Sequence, residues 1–295
     1  MTENLIKDNM LKESVVKNGR IKATQDYAVF GNPIHHSKSP ALHQAFAKQT
    51  GEDIQYTAEL VDVDGFSAAA DTFFASGGKG LNITVPFKIN ALQYADQLTN
   101  RAEKAGAVNT LIKKDNIVIG DNTDGVGFID DIVNNLHWPL VNKKVLILGA
   151  GGAVRGILGP LIQTNPDMIT IANRTVEKAE KLLDDLRHNT SCLLRACHYD
   201  DINTPYDIII NGTSASLHGD LPKLPSTSLT KDSYCYDMMY AKEPTVFMCW
   251  GEQCGAKEVA DGLGMLVCQG AESFYQWRGI KPQTQSIIKE LRLSL

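Results

Sequence analysis

One lysine stands where acid/base chemistry has the most to gain. The run Leu81-Asn82-Ile83-Thr84-Val85-Pro86 follows a Gly-Gly-Lys-Gly turn, reads as a short strand, and is stopped by its proline. Two residues on comes Lys88, flanked by Phe87 and Ile89. A cation held among apolar neighbours at a strand-to-helix turn is penalised in its charged form, which lowers its pKa toward working pH. A lysine in the first turn of a helix is more often a solvated surface residue. The surrounding elements decide between the two.

A second pattern binds rather than reacts. The apolar strand 143–148 runs directly into Gly149-Ala150-Gly151-Gly152-Ala153 and then a helix over 154–163. Strand, glycine turn and helix in that order form the dinucleotide-binding context. The first glycine makes the turn, and the second lets the backbone approach a pyrophosphate at the helix N-terminus. Val154 fills the third glycine position, so the fingerprint is incomplete. About two dozen residues on, where NAD-binding folds place an acid for the ribose hydroxyls, the chain has Asn173-Arg174-Thr175. A guanidinium pairs with a 2′-phosphate that a carboxylate would repel, so NADP(H) is favoured over NAD(H). A third set is polar and dispersed: Ser37, Ser39, Thr84, Asn109 and Asp124 each fall in a loop or just past a strand end. Hydroxyls and amides without clustered charge suit a small polyhydroxylated substrate, with or without one carboxylate. Taken singly, the serines read as turn residues and Asn109 as a cap.

The elements that must hold these residues alternate. Strands are expected over 27–31, 54–61 and 81–85, with helices over 40–50, 66–76 and 86–95 between and after them. Segments 110–113 and 117–120 flank Lys114-Asp115-Asn116 as a hairpin, and a helix follows over 126–136. The break at His137-Trp138-Pro139 separates this series from a second one, with strands over 143–148, 168–172, 193–197, 206–210 and 234–237. Helices are expected over 176–186, 245–251, 269–279 and 284–295. The fold class is α/β in two domains, the first on a mostly parallel sheet and the second Rossmann-like.

Composition narrows the partners. The 295 residues are 43% hydrophobic and 21% charged with a net charge of -5, enough apolar material for two cores and no basic face for nucleic acid. No apolar run approaches the ~18 residues of a membrane span. The six cysteines form no Cys-x-x-Cys pair and sit among apolar neighbours, which reads as buried thiols in a reducing cytoplasm. His35, His36 and His43 lack metal-ligand spacing and read as surface or loop histidines; no metal is expected. Residues 1–24 are polar and mixed in charge, a loosely ordered extension.

Seven stretches together resemble the shikimate dehydrogenase family. They are Gly31-Asn-Pro-Ile-His-His-Ser-Lys-Ser-Pro40, Asn82-Ile-Thr-Val-Pro-Phe-Lys88, Ala105-Gly-Ala-Val-Asn-Thr110, Asp121-Asn-Thr-Asp-Gly125, Gly149-Ala-Gly-Gly-Ala153, Asn173-Arg-Thr175 and Gly264-Met-Leu-Val-Cys-Gln269. The match runs in order from about residue 26 to the end. The resemblance implies NADPH-dependent reduction of 3-dehydroshikimate to shikimate, with Lys88 and Asp124 as the catalytic pair. It further implies that Ser37 and Ser39 hold the substrate carboxylate, with Tyr240 nearby, and that Thr84, Asn109 and Gln269 hold substrate hydroxyls. Cofactor contacts are implied at Gly149, Ala150, Gly151, Gly152, Ala153, Asn173, Arg174, Thr175 and Lys178, with Met238 and Gly262 beside the nicotinamide. The implied substrate domain is 25–123 plus 263–295, its last helices returning to it, and the cofactor domain is 124–262. A monomer or homodimer is expected. Two departures stand: Asn211-Gly-Thr-Ser-Ala-Ser216 differs slightly from the family's Asn-Ala-Thr-Ser run, and Asn100 replaces an acid found in some members. The rivals are a quinate/shikimate dehydrogenase using NAD or NADP, and a non-catalytic NADPH-binding regulator.

Overall fold

Val145, Leu146, Ile147 and Leu148 are wholly buried, alternate side chains lying in two separate hydrophobic clusters. Only a central strand covered on both faces takes four consecutive apolar residues. The sheet around it follows from that. In a computed structural model, which describes residues 16–17, 20–21, 25–184, 186–187 and 190–295, the chain forms two six-stranded sheets. Apart from a two-residue ribbon, Val16–Lys17 against Arg20–Ile21, the extension expected over 1–24 lies outside the described residues.

The first sheet holds β1 (Gln25–Gly31), β2 (Ile54–Leu60), β3 (Gly80–Ile83), β4 (Gln97–Leu98), β5 (Thr110–Lys114) and β6 (Ile117–Asp121), in the order β2-β1-β3-β5-β6-β4. Three of its five pairings are parallel and two antiparallel, the latter around the expected hairpin β5–β6. Helices α1 (Ser39–Thr50), α2 (Phe66–Ala75), α3 (Lys88–Tyr94) and α4 (Asn100–Ala105) lie between its strands in sequence. Helix α1 has a proline in its first turn and ends at Gly51, whose φ of 66° returns its N–H to Ala47 O.

Helix α5 (Asp124–Asp130) leads into a π turn over Asp131–Asn135 and then into the second sheet. That sheet comprises β7 (Lys144–Leu148), β8 (Met168–Ala172), β9 (Leu193–Cys197), β10 (Ile208–Asn211), β11 (Tyr234–Asp237) and β12 (Glu258–Asp261). Every pairing is parallel and the order is β9-β8-β7-β10-β11-β12, the doubly wound pattern with its switch point between β7 and β10. Its helices include α6 (Gly152–Gln163), α7 (Val176–Asp184) and α8 (Val246–Gln253). The final helices, α9 (Leu263–Arg278) and α10 (Gln285–Leu293), return to the first half: Leu263, Val267, Ala271, Phe274, Ile287 and Leu291 share one core with Tyr27, Val29, Leu42 and Phe46.

Several expectations need correction. Helix α5 begins at Asp124, two residues before the expected 126, so this carboxylate sits on a helix rather than in a loop. Helix α9 begins at Leu263 rather than 269, because Gly262, Gly264 and Gly270 mask its apolar spacing. Helix α3 begins at Lys88, after a turn at Pro86-Phe87. Cys192, Cys235 and Cys268 are buried, whereas Cys197, Cys249 and Cys254 are only partly so.

His43 is the clearest reversal. It is no surface residue but a buried one, 1% exposed, stacked on Tyr56 with ring centroids 4.2 Å apart and packed near Phe46, Phe274 and Trp277. Burial lowers its pKa from 6.5 to about 3, a hydrogen bond with Asn82 opposing only in part, so the native ring is neutral. A depressed folded-state pKa leaves its contribution whole above pH 6.5, and drains it as the pH falls toward about 3 and the unfolded chain takes up the proton. In that window wild type should lose stability faster than a His43→Phe variant, by about 1.4 kcal/mol per pH unit. Urea midpoints across the window check this; parallel pH profiles for the two proteins would refute it.

Candidate active site

Asp124 is the point where separate segments converge. Its Oδ2 accepts a hydrogen bond from Lys88 Nζ at 2.6 Å, and its Oδ1 accepts from Asn109 Nδ2 at 2.8 Å. The Lys88 side chain is 32% exposed and that of Asp124 13%, so the pair is half-buried and open to a cleft. The burial expected of Lys88 is therefore only partial. Asn122 Oδ1 accepts the Asp124 backbone N–H at 3.1 Å, fixing the first turn of α5. Lys88 opens α3, directly after the turn in which Phe87 N bonds Thr84 O. The Val85–Pro86 bond in that turn is cis.

Two helices must come very close for this carboxylate to reach the cleft. A Cβ on Gly125 would stand 2.5 Å from Gly156 O of α6, and one on Gly127 would stand 2.4 Å from Gln269 N of α9. These glycines let α5 nest between its neighbours.

The cleft has a volume of about 350 Å³, at the small end of ligand sites. All eight residues expected around substrate line it: Ser37, Ser39, Thr84, Lys88, Asn109, Asp124, Tyr240 and Gln269. So do Met238 and Gly262, expected beside the nicotinamide. Ser37 lies in the loop before α1 and Ser39 is its first residue, with Ser39 N–H donating to Ser37 Oγ at 3.3 Å. Asn109 Nδ2 also reaches Gln269 Oε1 at 3.3 Å, which brings α9 to the same point. Burial raises the pKa of the Tyr240 hydroxyl, aided by the Asp261 charge, so it stays protonated and able to donate. Gly262 has no room for a side chain, a Cβ there falling 2.2 Å from Met238 O.

The glycine loop meets the requirements of a pyrophosphate cradle. Gly149 has φ +96°, a conformation L side chains rarely adopt, and a Cβ there would lie 2.9 Å from Thr213 Cγ2. A Cβ on Gly151 or Gly152 would meet nothing within 4 Å, and the start of α6 has no side-chain cap. Uncapped N–H groups at a helix start, with the field of the helix behind them, favour an anion. Ala150 and Ala153 complete the loop and pack against the core. The missing third glycine is compensated from the end of the neighbouring strand β10: a Cβ on Gly212 would fall 2.3 Å from Val154 Cγ2. Gly212 thus makes room for Val154, which explains the departure at 211–216.

Past β8, Asn173 and Arg174 border a groove of about 560 Å³ that Tyr199 and Thr213 also line. Asn173 Nδ2 holds Thr175 O at 2.8 Å. Thr175 and Lys178 are exposed and do not border this groove, although both lie on the same turn. Asp200, which also lines the groove, is within 3.2 Å of His198.

Sequence reasoning passed over the layer behind the cleft. Asn82, Thr110, Thr123 and Ser273 are all buried and hydrogen-bonded around Asn109. Arg101 Nε bonds Asp121 Oδ1 at 2.6 Å and its Nη1 bonds Glu272 Oε1 at 3.0 Å, tying α4 to the end of β6 and to α9. Asn82 and Thr123 sit inside stretches already singled out; Arg101 and Ser273 give no local signal.

A glycine cradle at the switch point of a parallel sheet, together with a Lys–Asp pair in a small polar cleft, defines a two-domain dehydrogenase using a dinucleotide. Comparison with known proteins gives the family. Residues 29–111 match the shikimate dehydrogenase substrate binding domain, 131–219 match shikimate / quinate 5-dehydrogenase, and 262–292 match the shikimate 5'-dehydrogenase C-terminal domain. The chain belongs to the shikimate dehydrogenase family. It is 56% identical over 274 residues to the shikimate dehydrogenase (NADP(+)) of Cellvibrio japonicus, covering 92% of this chain and 98% of that one. Among solved structures, an Ael1 enzyme from Pseudomonas putida superposes with a TM-score of 0.87 at 42% identity, over 91% of this chain and 98% of the other. The shikimate 5-dehydrogenase of Thermus thermophilus in complex with NADP(H) and shikimate gives 0.82 at 27% identity, over 92% and 100%.

Gly212→Ala should cost about 1–3 kcal/mol, the usual range for overpacking a filled core. Val154→Ala in the same chain should relieve most of that cost, as coupled neighbours do. Denaturant midpoints of the two single variants and the double variant check it; additive losses would show that the two residues do not compete for the same space.

Proposed function

We propose that this protein reduces 3-dehydroshikimate to shikimate reversibly with NADPH, and that Lys88 and Asp124 handle the proton. One observation carries the reading: an ammonium and a carboxylate 2.6 Å apart in space and 36 positions apart in sequence share a cleft with two neighbouring serines. NADPH, when bound, supplies the hydride to the substrate's ring carbonyl. Lys88 then delivers a proton to the developing alkoxide, directly or through water. Asp124 orients the Lys88 ammonium, and Asn109 occupies its other oxygen, so the carboxylate is held on both sides. Ser37 and Ser39 take the substrate carboxylate, with Tyr240 nearby; Thr84, Asn109 and Gln269 take hydroxyls. Gly149, Ala150, Gly151, Gly152 and Ala153 would hold the pyrophosphate, Asn173, Arg174, Thr175 and Lys178 the 2′-phosphate end, and Met238 with Gly262 the nicotinamide.

The substrate-binding half in this reading is 25–123 with 263–295, and the cofactor half is 124–262. The cleft side chains named above all line one pocket of a single chain, and the assembly proposed is a monomer or homodimer. No helix among the described residues is long and apolar enough to cross a membrane. The cysteines are unpaired, which suits a reducing cytoplasm.

The direct test follows nicotinamide absorbance with shikimate and NADP, repeated with quinate and with NAD. Fast turnover of shikimate with NADP alone is expected; comparable rates on quinate would replace the reading with a broader dehydrogenase, and binding without turnover with a regulator. Lys88→Ala should lower kcat by roughly a hundredfold or more with little change in the KM for shikimate. A rise in KM at constant kcat would make Lys88 a binding residue. Arg174→Ala should cut the NADP-over-NAD preference by about ten- to a hundredfold, the scale of a lost charge-assisted contact.

A further inference from the structure

Ser273 lies in the part of α9 that crosses behind the cleft, is 0% exposed, and does not line the cleft. For a residue with one hydroxyl it has unusual company. Its Oγ is 3.0 Å from Asn82 Nδ2, 2.8 Å from Thr110 Oγ1, 3.2 Å from Thr123 Oγ1 and 3.1 Å from Gln269 O. These partners belong to β3, β5, the start of α5 and α9 itself. Thr110 Oγ1 and Thr123 Oγ1 lie 2.9 and 3.2 Å from Asn109 Oδ1, and the Thr123 N–H donates to the same oxygen at 2.9 Å. With the Thr110 hydroxyl and the Thr123 N–H on that oxygen, the Asn109 NH2 is directed at Asp124 Oδ1 and Gln269 Oε1, and the Thr123 hydroxyl also lies 3.0 Å from its nitrogen.

Proton bookkeeping gives this cluster a direction. Tyr56 O–H donates to Asn82 Oδ1 at 2.8 Å, so the Asn82 amide must turn its NH2 toward Ser273, Thr110 and Asn109 O. Ser273 accepts there and gives its own proton to Thr110 Oγ1, its nearest partner at 2.8 Å. Thr110 is then free to give its proton to Asn109 Oδ1. A reversed Asn109 amide would set a carbonyl oxygen against the Asp124 carboxylate.

We propose that Ser273 is a positioning residue: its hydroxyl sets the sense of the hydrogen bonds that aim the Asn109 amide at Asp124, and it locks the register of α9 that places Gln269 in the cleft. The proposal rests on the assignment of Asp124, Asn109 and Gln269 to shikimate turnover. Because Ser273 does not border the cleft, its influence on turnover passes through those residues and leaves the nucleotide half alone.

Ser273→Ala should lower kcat/KM for shikimate about tenfold, the scale on which small misplacements act, with the KM for NADP unchanged. In a Thr110→Val background, which removes the hydroxyl linking Ser273 to Asn109, the same substitution should cost less than about threefold, because residues of one network are not additive. Ser273→Cys, which keeps a weak hydrogen-bonding group of similar size, should fall between wild type and Ser273→Ala, and it carries the test if the alanine variant does not fold. A lowered melting temperature with unchanged kcat and KM would overturn the proposal, as would equal losses in both backgrounds. Wild-type protein inactive on shikimate would instead overturn the functional reading on which the proposal stands.

Discussion

The structure is organised by one requirement: the Asp124 carboxylate must sit at the junction of the two halves with both oxygens occupied. Lys88 and Asn109 occupy them from the substrate side, while the chain carrying Asp124 turns at once into α5 and runs toward the second sheet. A carboxylate in that place needs a helix that can approach two others without side chains in the way. Gly125 against α6 and Gly127 against α9 supply this. Any Cβ at these positions would push α5 outward and withdraw Asp124 from Lys88. Backbone shape and the Lys88–Asp124 contact are therefore set by the same short segment, Asp124 to Phe128, with Phe128 anchoring the helix in the core of the second half.

The polar layer behind the cleft is the second consequence. Buried amides and hydroxyls are costly unless each has a partner, and when every member is satisfied they fix one arrangement. Asn82, Asn109, Thr110, Thr123 and Ser273 meet that condition together with Tyr56, Asp124 and Gln269. Their satisfaction joins β3, β5, α5 and α9, elements from distant parts of the chain. The Arg101 pairing with Asp121 and Glu272 does the same on the α4 side; burial opposes the charge on Arg101, but the two carboxylates outweigh it and its pKa rises. A rigid floor beneath the cleft lets its few polar groups act at fixed positions.

Much of this is legible in the sequence, for identifiable reasons. The doubly wound half announces itself because a strand buried on both faces reads as an uninterrupted apolar run, and β7 has four such residues in succession. The cleft residues are legible because they cluster in short stretches whose turns demand particular residue types. Helix starts are less so. Asp124 and the head of α9 fall outside the expected helices because glycines chosen for close packing look, in sequence, like breaks. His43 misleads because its spacing from His35 and His36 is visible, whereas the four aromatic rings that enclose it come from β2, from α9 and from the next turn of its own helix. The Val154–Gly212 exchange is invisible for the same reason: a glycine lost at the start of α6 is restored far along the chain, just past the neighbouring strand β10.

The charge distribution completes the argument. A chain of net charge -5 repels anions on average, yet its cofactor and its proposed substrate are both anionic. Attraction must then be local and directional. The uncapped start of α6, the Arg174 guanidinium at the end of β8 and the serine-bearing turn before α1 each present donors over a few ångströms, too short a range for the overall field to cancel. Lys88 differs from all of these in having its charge already matched by Asp124, so it adds little to the pull on an approaching carboxylate. That separation suits the role proposed for it: a lysine neutralised in the resting site would not draw the substrate carboxylate onto itself, and its proton would stay directed at the position where negative charge develops in the proposed reduction.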